Sequence, residues 1–435
     1  MNRRFRIIGI LLIAAGAATG ALAQIGLPQL PPQLPRLPPV TDPLIGSLRT
    51  AQSAPLTEAR KLRVRELLRT ERETVESDPD GQPILRRQVG ALSPSPEALD
   101  RARAEGFAVL RAESLVGLDL TLVVFEAPEG MSTRRALKRL RELDPDGSYD
   151  YNHLYVDAGV QAEPADPAPP PPPSVETKPA SFPAARIGLI DSGVDGTHPV
   201  LAGTSIVRQD CDEKPIPAPH GTAVASLLIG KADGFRGVMP GATLYAADIF
   251  CGHGGGSMSL LAVALDWMAR EQVPVVNISL VGAKSILLTG LVRAMTARGH
   301  LLVAAVGNDG PTAPPLYPAA YPDVVGVTGV DARHKVLPEA CRGEQVDFAA
   351  AGAGLEAAAV GGGYGEVRGT SFATPIVAAL LAGSLAAPDF ANAQRALAAL
   401  ESTAIDLGNN GIDPTYGKGL VGSSLQPGRI ASANP

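Results

Sequence analysis

From residue 186 onward, short and almost unbroken apolar runs alternate with longer apolar-rich stretches. The short runs, at residues 186–190, 243–250, 275–280, 301–306 and 324–330, have the length and continuity expected of strands buried on both faces. The longer ones, at residues 221–231, 259–270, 286–298, 371–386 and 390–400, read as helices. Strand and helix in alternation predict an α/β fold, a parallel sheet covered by helices on both faces.

Upstream the pattern changes. Residues 61–76 have helical composition and residues 84–92 read as a strand. Ser95 and Pro96 form an N-cap and first helical position ahead of residues 97–104. Two strand-like runs follow, at 107–114 and 118–126. A helix at 132–143 then carries Ala136, Leu137, Leu140 and Leu143 on one face, and a last strand spans 149–156. The order β-α-β-β-α-β is that of a small α+β ferredoxin-like sandwich.

Proline-rich segments bracket this unit. Residues 24–57 lack periodicity, and 161–185 contain consecutive prolines at 169–173, so both read as extended spacers. At the start, Arg3, Arg4 and Arg6 precede an apolar run at 7–18, and Ala21-Leu22-Ala23 offers a small-x-small cleavage site before Gln24, the layout of a secretory signal peptide. An uncleaved anchor is the competing reading, and the run is barely long enough for it. The expected organisation is a signal peptide (1–23), a spacer (24–57), a sandwich (58–160), a linker (161–185) and an α/β domain (186–430).

Chemistry concentrates in three short motifs. In Gly369-Thr370-Ser371-Phe372-Ala373-Thr374-Pro375, a serine flanked by small residues opens an apolar helix, whose positive end favours a developing oxyanion. Ser371 is a candidate nucleophile, unless it or Thr370 merely caps the helix. A serine needs a base, and the base needs an orienting group. The strand at 186–190 delivers Asp191 at its carboxyl end, before Ser192-Gly193. His220 stands ahead of Gly221-Thr222, where a second apolar helix begins. Asn308, between Gly307 and Asp309, is either an oxyanion donor or a turn residue.

The order Asp191, His220, Ser371 in these motifs resembles the subtilisin-like serine proteases, or subtilases. Residues 304–308, 317–322 and 416–419 extend the resemblance over roughly 186–425. It implies that Asp191 orients His220, His220 acts as base and acid, Ser371 attacks the scissile carbonyl, and Asn308 binds the oxyanion. It also implies a polypeptide substrate, contacted by Ser279, Leu280, Val281, Gly282, Ala305, Gly307 and Leu316, and by the glycine-rich loop at 252–256. Subtilases usually carry glycine at the place of Val281 and a small residue at that of Leu316. Both would narrow the primary pocket towards small or medium apolar side chains. The sandwich is similar to the family's N-terminal propeptide, an intramolecular inhibitor, so self-cleavage is expected between about Asn152 and Phe182.

Departures remain. Ala223 and Ile376 replace histidines common in the family. The loop at 231–236 offers only Asp233, whereas Ca²⁺ takes about six to eight oxygens, so no metal is expected there. No cofactor is expected either. Of the three cysteines, Cys211 and Cys251 are the favoured pair in an oxidising compartment, leaving Cys341. His198 reads as structural, His153 as half-exposed, and His253, His300 and His334 as solvated.

Composition adds little. At 435 residues, 45% hydrophobic with a net charge of −6, the chain suits an exported protein, periplasmic or extracellular. No basic patch suggests nucleic acid, and nothing suggests an obligate oligomer, so a monomer is expected. Two functional readings stand: an exported, autoprocessed serine endopeptidase, or a catalytically inactive subtilase-like binding or chaperone module. All four polar groups are present, which favours the first.

Overall fold

The computed structural model describes residues 56–157, 159–161, 185–211, 214–425 and 427–429. The expected signal peptide, nearly all of the first spacer and most of the linker lie outside these residues. The N-terminal part runs α1 (Leu56–Thr70), β1 (Val75–Ser77), β2 (Pro83–Leu92), α2 (Pro96–Ala104), β3 (Ala108–Leu115), β4 (Leu120–Glu126), α3 (Thr133–Leu143), β5 (Ser148–Asp157) and β6 (Val160–Gln161). The strands β7 (Arg186–Asp191) and β8 (Ser205–Gln209), helix α4 (Pro219–Ile229), strands β9 (Lys231–Ala232), β10 (Phe235–Arg236), β11 (Thr243–Asp248) and β12 (Gly256–Ser257), and helix α5 (Met258–Arg270) follow. Next come β13 (Val275–Ile278), β14 (Leu280–Val281), α6 (Ile286–Ala297), β15 (Leu301–Ala305), β16 (Val324–Val330), β17 (Phe348–Ala351), β18 (Leu355–Ala358), β19 (Tyr364–Arg368), α7 (Thr370–Ala382), α8 (Phe390–Ser402) and β20 (Gly428–Arg429).

The α/β domain is built on a parallel sheet in the order β17-β16-β15-β13-β7-β11-β8. Its strands are apolar throughout because successive side chains enter different cores. Ile187, Leu189, Leu244, Val275 and Val303 join α4 and α7 on one face. Ile190, Tyr245, Val276, Leu302 and Ala304 join α5 and α6 on the other. Each fully buried side chain of Leu or Ile size contributes about 1.5–3 kcal/mol, which makes α7, buried along almost its whole length, a central pillar. The order turns at β7, the first strand of the domain but fifth in the sheet counted from β17, and Asp191 ends that strand. Carboxyl ends at such a turn are where open α/β sheets place their sites.

The sandwich has the expected topology, with antiparallel order β5-β2-β4-β3 and β1 paired to β2. Ser95 and Ser132 cap α2 and α3 through the amides of Ala98 and Arg135. Ala102, Ala136, Leu137 and Leu140 of these helices cover Val89, Val123 and Phe125 on one face of the sheet. Its other face is covered by the α/β domain, where Leu92, Leu122 and Val124 share a core with α5 and α6. Polar contacts reinforce that union. Asp150 accepts from the Ile286 amide at 2.8 Å, and Asn152 accepts from the Ser259 amide at 3.1 Å, each at the first turn of a helix where amides lack intrahelical partners.

Two elements of the sheet escape the sequence pattern. β8 is a half-exposed edge strand and β17 is largely alanine, so neither shows the continuous branched apolar run of a buried strand. The helix expected at 61–76 lies instead at Leu56–Thr70 and is followed by β1.

Candidate active site

β7 carries Asp191 into the interior, where 1% of its surface remains exposed. Its Oδ1 accepts from the Ser192 amide at 2.7 Å, which fixes the carboxylate plane. His220, on the first turn of α4, presents Nδ1 at 2.8 Å from Oδ1 and 3.0 Å from Oδ2. An ionised carboxylate only accepts, so Nδ1 carries the proton and Nε2 is left with its lone pair outward. The close passage of α4 over the strand end needs glycine after the histidine. A Cβ at Gly221 would sit 2.0 Å from the Ser192 carbonyl oxygen.

Ser371 lies on the first turn of α7, after Gly369, whose φ of 134° suits glycine. Pro375 within this helix has no N–H for the Ser371 carbonyl. Ser279 fills the gap by donating its hydroxyl to that carbonyl at 3.0 Å, and Ser371 Oγ donates in return to the Ser279 carbonyl at 3.2 Å. The Phe372 ring packs 5.3 Å from the imidazole of His220. His220 Nε2 makes no hydrogen bond. The Ser371 hydroxyl is turned to Ser279 instead, so its bond to Nε2 is not formed in this structure.

Asn308 follows Gly307, and the positive φ of that turn falls on Gly307 (98°) and Gly310 (99°). The asparagine is therefore not the left-handed turn residue. Its Oδ1 accepts from the Thr370 amide at 3.1 Å, while buried Nδ2 has no partner. A free donor on Asn308 and a free acceptor on His220 both belong to the neighbourhood of Ser371. Together they are what acyl transfer requires: a base for the hydroxyl proton and a donor for the oxyanion.

The chain's own β5 passes these groups, held between two short strands. β5 pairs antiparallel with β12 on one side, Tyr155 and Leu154 against Gly256 and Ser257, and with β14 on the other, Val156 and Asp157 against Val281 and Leu280. Beyond Gly159, β6 pairs with β19. Gly159 itself lies at the imidazole, since a Cβ there would be 3.2 Å from His220 Nε2. Of the expected contact residues, Leu280 and Val281 pair with the strand, and Gly282 backs the Tyr155 ring. Ala305 ends β15, and buried Leu316 rests against Gly307, where a Cβ would meet its Cδ1 at 2.6 Å. Three charged residues were not anticipated: Arg60 and Arg63 of α1, and Asp309 beside Asn308.

The Cys211 and Cys251 sulfurs are bonded, with Cα atoms 5.4 Å apart, and Cys341 is a buried thiol. Several histidines depart from expectation. His300 is buried with Nδ1 2.7 Å from the Val273 carbonyl oxygen, and burial lowers its pKa. His153 is buried against Asp78, and His253 is partly buried. His198, read as structural, is buried with Nε2 2.8 Å from the Gly363 carbonyl oxygen, in keeping with that reading. Among the described residues no cluster of histidine, cysteine and carboxylate could hold a metal ion.

Residues 184–419 match the model of the subtilase family. The chain belongs to the subtilase family. Subtilisin E of Bacillus subtilis is 32% identical over 297 residues, covering 66% of this chain and 77% of the relative. M-protease of Shouchella clausii is 32% identical over 287 residues, covering 64% and 74%. Fervidolysin from Fervidobacterium pennivorans, described as a keratinolytic enzyme related to subtilisin, shares the fold with a TM-score of 0.64 at 21% identity. The match covers 80% of this chain and 61% of that structure. A subtilase with such relatives is a serine endopeptidase acting on polypeptides, and the reading as an inactive module is set aside.

Proposed function

We propose that this subtilase is exported as a zymogen, cuts itself between Ala158 and Gly159, and then hydrolyses other polypeptides with Asp191, His220, Ser371 and Asn308. The observation that carries this reading is β5, held between β12 and β14 as an extended substrate would be, with Gly159 at His220. Counting forward from Val156 and Asp157, the residue before Gly159 is Ala158. A small side chain there agrees with a pocket narrowed by Val281 and Leu316. The match to subtilisin E supports the propeptide assignment too. It takes in 66% of the chain, more than residues 184–435 could supply, so part of it lies in the N-terminal region.

The chemistry follows from the atoms. Ser371 Oγ attacks the scissile carbonyl carbon as its proton passes to His220 Nε2. Asp191 holds Nδ1–H and stabilises the imidazolium. The carbonyl oxygen, now an anion, accepts a hydrogen bond from Asn308 Nδ2, helped by the positive end of α7. Collapse of this intermediate expels the amine, which takes the proton back from Nε2. Water, activated by the same imidazole, then releases the acyl group. The released fragment, the N-terminal sandwich, remains as an inhibitor until it leaves, and the mature enzyme is a monomer.

N-terminal sequencing of the exported protein tests the maturation. Gly159, or a residue of the 161–185 linker after trimming, is the expected first residue, and Ser371→Ala should accumulate uncut chain. A mature chain beginning before Asp80, or normal processing of Ser371→Ala in isolation, would overturn it.

A further inference from the structure

Helix α1 stands outside the β-α-β-β-α-β order of the sandwich, yet it reaches the active site. Leu67 anchors it beside Val75 and Leu154. Arg60 and Arg63, three positions apart and so on one face of the helix, turn towards that site. Arg60 Nε donates to Asp309 Oδ2 at 2.8 Å, with 13% and 6% of the two side chains exposed. Its Nη1 also donates to Gln82 Oε1 at 3.3 Å. Arg63 donates from Nη1 to the Asp157 carbonyl at 3.1 Å and from Nη2 to the Gly159 carbonyl at 2.9 Å, and pairs with the Asp157 carboxylate. One helix thus holds both Asp157 and Gly159 and neutralises the carboxylate next to Asn308.

We infer that α1 is a second inhibitory contact, a clasp that retains the cut N-terminal fragment over the catalytic groups. This rests on the zymogen reading above. Cutting before Gly159 frees that residue with the new terminus, but the Arg63 contacts to Asp157 and the Arg60 contact to Asp309 join the fragment to itself and to the enzyme, and survive. A guanidinium in a buried, hydrogen-bonded ion pair is costly to remove because its partner is left charged and dry. The sandwich core docks through its sheet whether or not these pairs form, so the clasp adds to inhibition without being needed for the fold of the mature enzyme.

The full-length chain provides the test. In Arg60→Ala/Arg63→Ala, the lag between appearance of the cut chain on a gel and peptidase activity on a fluorogenic peptide should shorten at least about tenfold, or about 1.4 kcal/mol. Neither position remains in the mature enzyme, so its kcat/KM should match the parent's. An unchanged lag would overturn the clasp. Should the variant fail to accumulate, hydrogen exchange in the uncut Ser371→Ala chain decides the matter. Amides of residues 56–70 should be protected in that chain and lose protection when both arginines are replaced, with β2 and β4 unaffected. Equal exchange in the two chains would overturn the clasp. A parent that never cuts itself would instead refute the zymogen reading, and the exchange experiment would still judge the clasp.

Discussion

Pro375 shapes the surroundings of Ser371 more than its place in the motif suggests. By withholding an N–H from the Ser371 carbonyl it makes Ser279 that carbonyl's donor, and so ties the start of α7 to the residue before β14. Ser279→Ala should leave a buried carbonyl unpartnered and cost about 1–3 kcal/mol. Adding Pro375→Ala restores a helical donor and should recover part of that loss. Unfolding of the uncut Ser371→Ala chain by denaturant measures the cycle, and effects that simply add would contradict the link. Asp191, His220 and Ser371 were legible because each sits in a local motif whose neighbours, such as Gly221, answer to close packing. Arg60 and Asp309 were not, because 249 positions separate them and nothing local marks either as a partner.

At the level of elements, β12 and β14 form rails on either side of β5. Leu316 rests against Gly307, and in the proposed reading it narrows the primary pocket together with Val281. A peptide library should therefore favour alanine or valine immediately before the cleaved bond, by about tenfold or more over phenylalanine, since an ill-fitting side chain forfeits about 1–3 kcal/mol. Leu316→Gly should raise cleavage after phenylalanine. Strong preference of the parent enzyme for lysine or phenylalanine would contradict this pocket. The central strands and five helices of the α/β domain were readable because burial on two faces imposes continuous apolar runs. β8, β17 and β6 were not, because their positions follow from neighbours far along the chain rather than from their own composition.

Over the whole molecule, one buried acid links stability to pH. Asp248 ends β11 in register with Asp191. Burial raises its pKa to about 6, the charges of Asp210 and Asp191 add to the rise, and the amides of Phe250 and Cys251 oppose it. The folded state thus binds this proton more tightly than the unfolded chain, so the contribution is full below the ordinary value near 4 and is lost as pH rises through about 6. Asp248→Asn should flatten that fall and leave the uncut Ser371→Ala chain about 1–3 kcal/mol more stable at pH 8 than its parent, as read by denaturant unfolding between pH 4 and 8. Parallel curves would contradict the assignment. The account as a whole depends on Ser371 being the nucleophile activated by His220. Reaction of the mature enzyme with a fluorophosphonate, followed by mass spectrometry of its peptides, tests this directly. The adduct should lie on Ser371 and vanish in His220→Ala, together with peptidase activity. An adduct on another residue, or full peptidase activity in Ser371→Ala, would contradict it.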